Sequence, residues 1–369
     1  MNKPIIISFG DPGSINPEIL AKNLSFLAGS KNYKIIIGSY RSFYNYSIDN
    51  CVKIKKIIGQ KFKTFFSKNY SITKIKKNNL IKIAKDFAFF IFNDLVKLEN
   101  KNTNEIEESS KILFYDPADD LDFSIGKVDI ENGFLSYLYL LICCDLIELL
   151  NYNCYLLTLP VNKKSISLYD KNFKGHTDFL IERFSSPNSR MLMHSENISI
   201  LMETNHIPVL NLKKYLNEDH FLSTLIISTR AIDMLKLKPY IYVLGLNPHR
   251  SDHSLIGNDE EKWIIPQIKK AERIFGGKYS FSGPISSDSA FTEKSMVIRK
   301  KGIYIAWYHD QGLIPFKILA KDKGSNITIG LPFFRISPDH GTGFDIVGKN
   351  IANSSSLKFC IETILSLEE

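Results

Sequence analysis

Short apolar runs punctuate this chain at 4–9, 34–38, 155–159, 225–228, 240–246 and 303–308. Runs of that length, bounded by turn-forming residues, predict buried strands. Longer amphipathic stretches such as 131–150 and 259–274 lie between them and predict helices. The alternation predicts an α/β fold with a mainly parallel sheet. The opening run, Pro4 to Phe9, is too short for a signal h-region and enters a Gly10-Asp11-Pro12 turn, so it reads as a buried first strand. Phe134 to Cys144 is the longest greasy stretch. It is too short to span a bilayer and reads as a core-facing helix, so no membrane partner is expected.

A length of 369 residues predicts two domains. The expected first domain is 1–150 plus about 320–369, with a long Lys/Asn-rich segment at 40–110. The expected second domain is about 151–319. Apolar content of 44% suits a globular protein. Five cysteines without C-x-x-C spacing fit free thiols in a reducing cytoplasm. The net charge is +8, and residues 53–85 carry eleven lysines with no acid. Lysine without arginine suits a solvated face better than a nucleic-acid site, and no nucleic-acid partner is expected. A basic chain still attracts an anionic substrate.

Three of the eight histidines sit beside or just past apolar runs: His206, His249 and His309. Ligands bind at the carboxyl ends of strands in open α/β sheets. Three imidazoles with an open fourth position also describe a catalytic metal centre, and they favour Zn²⁺, Co²⁺ or Mn²⁺ over Mg²⁺. A lone histidine is ordinarily structural, and no His-x-His pattern exists here, so spacing leaves both readings open. Asp310 follows His309 as an acceptor that fixes its tautomer. Gly175-His176-Thr177-Asp178 offers an imidazole and a hydroxyl to a polar substrate; the same residues also read as a helix start with Thr177 as N-cap. Lys317, Asn326 and Arg335 follow at intervals suited to phosphate or carboxylate, or to plain solvation. Lys317 lies in the apolar Leu313–Leu319 run, where a lysine needs a partner. Glycines thicken from 324 to 348, so the 339–353 segment reads as a loop that admits close ligand approach. No G-x-G-x-x-G follows the first strand, which argues against an ordinary Rossmann dinucleotide site.

Taken in order, Gly10-Asp11-Pro12 with Pro17-Glu18, Leu159 to Lys163, Gly175 to Asp178, Asn247-Pro248-His249, Tyr308 to Leu313, Asn326-Ile327-Thr328 and the 339–345 loop resemble the 4-hydroxythreonine-4-phosphate dehydrogenase family of vitamin B6 synthesis. The resemblance spans nearly the whole chain and is weakest at 40–110. It implies two α/β domains with a cleft, like isocitrate and isopropylmalate dehydrogenases, and a homodimer with the active site at the subunit interface. It implies a divalent metal (Zn, Co or Mg) on His206, His249 and His309. It places a small phosphorylated amino-acid substrate on His176, Thr177, Lys317, Asn326 and Arg335. His340, Gly341 and Asp345 fall in a loop similar to the adenosine-binding loop of isopropylmalate dehydrogenases, with Asp345 favouring NAD over NADP. The implied reaction oxidises the C3 hydroxyl of 4-phosphooxy-L-threonine, and the 3-oxo acid then loses CO₂.

Ser14, Asn16 and the Arg250–Ser254 segment stand where the family commonly has glycine. They are expected to stiffen or reshape loops near the site. Two alternatives share parts of this pattern. A 4-phospho-threonate or 4-phospho-erythronate dehydrogenase of the same family would need the same metal and NAD. A phosphate acyltransferase of similar fold would need neither the histidines nor NAD.

Overall fold

The computed structural model describes residues 3–47, 55–58, 77–99, 112–119, 121–298 and 301–368. In chain order the strands are β1 (Ile5–Ser8), β2 (Lys34–Ile37), β3 (Lys55–Ile58), β4 (Ile112–Asp116), β5 (Tyr155–Thr158), β6 (Arg190–His194), β7 (Ser199–Met202), β8 (Tyr240–Leu244), β9 (Ser280–Ile285), β10 (Ile303–Ala306), β11 (Ser325–Ile329) and β12 (Phe334–Pro338). The chain forms two compact units: Met1–Phe179 with Pro332–Leu365, and Leu180–Leu331 with Ser366–Glu369.

In the first unit the strand order is β3-β4-β2-β1-β5-β12, parallel throughout. β1, β2, β4, β5 and β12 are buried along their whole length, which is why the first four read as largely apolar runs and not as alternation. Helix Ile130–Leu149 packs on β1, β2 and helix Lys77–Glu99. Asp129 caps it, accepting from the backbone N–H of Glu131 at 2.9 Å and of Asn132 at 3.3 Å. It is long and apolar enough to cross a membrane, yet 89% of its apolar window is buried inside this unit. Each large aliphatic side chain it buries contributes about 1.5–3 kcal/mol. Cys143, Cys144, Cys154 and Cys360 are buried and form no disulfide among the described residues. Burial pushes the Cys154 thiol up to about 12.

The expected domain boundary near 150 is corrected to 179. β5 hydrogen-bonds in register between β1 and β12, so the backbone ladder holds residues 155–158 in the first unit. The return comes at 332 instead of 320, because β11 pairs with β6 inside the second unit.

The second unit orders its strands β11-β6-β7-β10-β8-β9. β6 runs antiparallel to both neighbours, and β7, β10, β8 and β9 are parallel. A core of Met191, Met193, Ile200, Met202, Tyr242, Leu244, Tyr304 and Phe316 fills one face. The run 225–228, expected as a strand, is helical and belongs to Glu218–Met234. Asn217 caps that helix by accepting from the N–H of His220 at 2.9 Å. Phe221, Leu225, Ser228 and Ile232 then bury one stripe at helical spacing, which overrides the β-preference of Ile226-Ile227. Most of the lysine-rich 53–85 stretch lies outside the described residues; Lys77, Lys82 and Lys85 are exposed on their helix.

Candidate functional site

The first unit gathers Arg335, Thr158, His176 and Lys163 around the end of β5. Arg335 lies in β12 opposite Leu156, with its side chain buried, and its Nη2 donates to Thr158 Oγ1 at 2.7 Å. Burial lowers its pKa to about 10. His176 opens the helix His176–Arg183, after Gly175 with φ +149°. A Cβ at Gly175 would sit 3.1 Å from Lys163 Cε, so glycine lets the lysine stem cross there. His176 is pushed down to about 3, first by burial and then by the positive fields of Arg335 and Lys163. It is therefore neutral at physiological pH. Its Nε2 is buried without a partner among the described residues. Two cations beside a neutral imidazole with a spare ring nitrogen suit a ligand carrying phosphate or carboxylate. Thr177 is not the N-cap. Phe179 N–H donates to Gly175 O at 3.0 Å, so the helix starts at His176 and Thr177 sits in its first turn, half-buried.

The Gly10-Asp11-Pro12 turn packs into the same unit. Asp11 Oδ1 accepts from Gly13 N–H at 2.9 Å and Asn132 Nδ2 at 3.0 Å, while Oδ2 is buried without a partner among the described residues. Burial raises this carboxyl from 3.8 to about 6 despite those hydrogen bonds. Ser14 and Asn16 both hydrogen-bond within this turn. Ser14 Oγ donates to Asp11 O at 2.6 Å. Asn16 Nδ2 reaches Pro160 O at 2.7 Å, Phe9 O at 3.0 Å and Asp11 O at 3.3 Å.

The 340–353 loop follows β12. Asp345 is exposed, with no hydrogen bond or ion pair among the described residues. His340 Nδ1 lies 3.0 Å from Gly341 O, and its Nε2 is buried without a partner among the described residues. An open carboxylate and an orphaned imidazole nitrogen fit the hydroxyls and ring nitrogens of a nucleoside. The tight approach falls at Gly343, with φ +55° and Ile15 3.0 Å from a notional Cβ; Gly341 faces open space.

In the second unit β7, β10 and β8 are adjacent parallel strands. His206, His309 and His249 follow their carboxyl ends in that order. The His206 and His309 rings come together, with centroids 5.6 Å apart. His309 Nδ1 lies 2.7 Å from Asp310 Oδ1, which sets the proton on Nδ1 and leaves the Nε2 lone pair for a ligand. His249 does not complete a triad here: its Nδ1 lies 3.8 Å from Asp288 Oδ2. Among the described residues no three of His, Cys, Asp and Glu are grouped to hold a metal. The physical cause is local. His249 begins six consecutive non-glycine residues with positive φ, through Ser254. Asn247 and Ser251 anchor that run by hydrogen bonds to the Glu260 carboxylate.

Lys317 is exposed and not set in an apolar pocket. Helix His309–Ala320 buries Gly312, Phe316 and Ala320, and Lys317 falls beside exposed Ile318 on another face. Asn326 is half-buried in β11 opposite Met193. The sequence reading assigned no role to Lys163, Thr158 or Asp11. Lys163 and Asp11 lie in the Leu159–Lys163 and Gly10–Pro12 stretches, but only the fold places Lys163 beside His176, Asp11 beside Asn132 and Thr158 beside Arg335.

A 4-hydroxythreonine-4-phosphate dehydrogenase from Klebsiella pneumoniae superposes with a TM-score of 0.71 at 24% identity, covering 100% of this chain and 99% of its own. A β-decarboxylating dehydrogenase from Thermococcus kodakarensis shares the fold at a TM-score of 0.50 and 11% identity, covering 100% of this chain and 84% of its own. Fold and site together define a two-unit α/β protein with a buried arginine beside a neutral imidazole in one unit and paired imidazoles in the other. Residues 60–364 match the family model described as pyridoxal phosphate biosynthetic protein PdxA. A 4-hydroxythreonine-4-phosphate dehydrogenase of Sulfurihydrogenibium sp. is 32% identical over 99% of this chain and 98% of its own length. A Clostridium botulinum protein named "Putative D-threonate 4-phosphate dehydrogenase" is 29% identical over 96% of this chain and 94% of its own. The chain belongs to the PdxA family.

Proposed function

We propose that this protein oxidises 4-phosphooxy-L-threonine at its C3 hydroxyl, passing hydride to NAD⁺. The product, 2-amino-3-oxo-4-phosphooxybutanoate, loses CO₂ to give 3-amino-2-oxopropyl phosphate on the route to pyridoxal phosphate. The observation that carries this reading is the buried Arg335–Thr158 pair with His176 and Lys163 beside it, in a chain of this family. A buried cation such as Arg335 is stabilised when an anionic ligand arrives. Arg335 and Lys163 hold the substrate's charged groups, and neutral His176 hydrogen-bonds a polar group through its spare nitrogen. Thr177, Lys317 and Asn326 add further polar contacts. His340, Gly341 and Asp345 receive the adenosine half of NAD, and the Asp345 carboxylate repels the extra phosphate of NADP.

His206 and His309 fit a divalent metal, Zn²⁺, Co²⁺ or Mg²⁺, with His249 as the third ligand. When bound, the metal acidifies the substrate alcohol and steadies negative charge on its oxygen. Asp310 holds His309 in the ligating tautomer. A second copy of the chain is proposed as the partner that completes this site. Exposed aliphatic side chains follow each histidine: Val209 and Leu210 after His206, Leu255 and Ile256 after His249, Ile314 and Ile318 after His309. Such surface beside polar residues favours a protein partner. The buried free thiols suit a cytoplasmic setting.

The test follows NADH absorbance with 4-phosphooxy-L-threonine, NAD⁺ and added Zn²⁺ or Mg²⁺, alongside the His309→Ala variant. Metal-dependent NADH formation that the variant abolishes is expected; formation indifferent to chelator and to the variant overturns the metal assignment. The second reading, oxidation of 4-phospho-D-threonate or 4-phospho-D-erythronate, is favoured by the Clostridium relative's name. The same assay with those non-amino acids decides between them by kcat/KM.

A further inference from the structure

The 340–353 loop has little structure of its own. Its internal backbone hydrogen bonds are Ile346 N–H to Gly343 O at 3.0 Å and Lys349 N–H to Ile346 O at 3.2 Å. Tyr46 hydrogen-bonds the Gly348 backbone from outside, and a denser set of contacts comes from residues 15–23, more than three hundred positions earlier in the chain. Ile15 N–H donates to Thr342 O at 3.1 Å. Glu18, 1% exposed, accepts the N–H of Ala352 on Oε1 at 2.7 Å. The same oxygen takes Lys22 Nζ at 2.7 Å. Lys22 Nζ in turn donates to Ala352 O at 2.9 Å and to Asn350 O at 3.3 Å. Asn23 Nδ2 reaches Ser354 O at 3.4 Å.

The Glu18–Lys22 pair therefore grips both the N–H and the C=O of one residue, Ala352. A surface i,i+4 ion pair contributes little. Here the carboxylate is buried and one of its charge-assisted hydrogen bonds goes to backbone, so removing either partner leaves an unsatisfied group in the grip. Glu18 Oε2 has no partner among the described residues, so the Ala352 N–H and Lys22 account for every hydrogen bond to its carboxylate. Helix Asn16–Lys22 buries Ile19 and Leu20, while Glu18 and Lys22 carry its hydrogen bonds to the loop.

We propose that Glu18 and Lys22 form a positioning clasp for the dinucleotide: they set the backbone of the 340–353 loop, and NAD affinity depends on them although neither reaches the nucleotide. The proposal rests on the reading of this loop as the adenosine site. Glu18→Gln keeps an acceptor for Ala352 N–H but loses the charge that holds Lys22. Glu18→Ala loses both. Lys22→Met spares the N–H contact and removes the two carbonyl contacts. Losses of this indirect kind correspond to roughly 2- to 30-fold in affinity.

The experiment titrates NADH by fluorescence into wild type and the three variants, with hydrogen exchange of the 342–353 amides and substrate KM as second readouts. NADH affinity is expected to fall in the order wild type, Glu18→Gln, Glu18→Ala, by about tenfold at the end of the series. Loop amides exchange faster, and KM for the phosphorylated substrate stays within about twofold. If Glu18→Ala does not fold, Glu18→Gln and Lys22→Met carry the test. Variants that bind NADH as tightly as wild type overturn the clasp alone. Equal losses of nucleotide and substrate affinity also overturn it, since that marks a general structural role. A wild type that binds no NADH overturns the adenosine-loop reading and the clasp with it.

Discussion

Replacing Asp11 by asparagine isolates the most perturbed carboxyl in the first unit. Its folded pKa is about 6 against an ordinary 3.8, and burial is the largest cause. The fold thus favours the protonated form. The stability this group contributes is complete below about pH 3.8 and is lost as pH rises through about 6. The full span is about two pKa units, or about 3 kcal/mol at 1.36 kcal/mol per unit. Between about pH 4.5 and about pH 7.5 roughly 2 kcal/mol of it is expressed. Asparagine cannot titrate, and its Oδ1 retains the acceptor role toward Gly13 N–H and Asn132 Nδ2. Its amide meets the same environment at every pH, so any fixed cost cancels in a pH difference. The assay is urea unfolding of both proteins at the two pH values. Wild type should gain about 2 kcal/mol relative to Asp11→Asn on going from pH 7.5 to 4.5. Other groups, His176 among them, titrate alike in both proteins and drop out. Parallel pH dependence of wild type and variant would refute the burial argument.

Asn16→Ala should destabilise the first unit by about 2 kcal/mol, because two or three buried carbonyls lose their donor, read as a drop in the urea midpoint. Arg335→Met should raise the substrate KM by about a hundredfold, while Arg335→Lys recovers only part because it loses the planar guanidinium that donates to Thr158; steady-state kinetics checks both. Asp310→Asn should weaken Zn²⁺ binding about 10- to 100-fold with little change in substrate affinity, measured by competition with a chromogenic chelator. Zinc affinity unchanged in that variant would show that Asp310 does not orient His309.

Local pattern was enough to locate β1, β2, β5, β8 and β10, because strands buried on both faces are apolar at most positions. It was also enough for helix Ile130–Leu149, and for placing His206, His249 and His309 near strand ends. The same pattern misread 225–228, since four apolar residues carry no period and only the Asn217 cap and the burial stripe settle the matter. It also placed Lys317 in an apolar setting, when helical periodicity turns that side chain outward.

What the chain alone determined, then, is an α/β protein in which three histidines follow the ends of parallel strands. What only the tertiary structure decided is which of them meet. Arg335 and Thr158 are 177 positions apart, and Asn16 and Pro160 are 144 apart. Strand order in each unit, the antiparallel β6 and the division at 179 are likewise invisible to periodicity. The reason is that periodicity records whether a position is buried, which is set by its neighbours within a few residues. Which group it faces depends on strand pairing between distant segments, and that pairing is stabilised only once the whole sheet has formed.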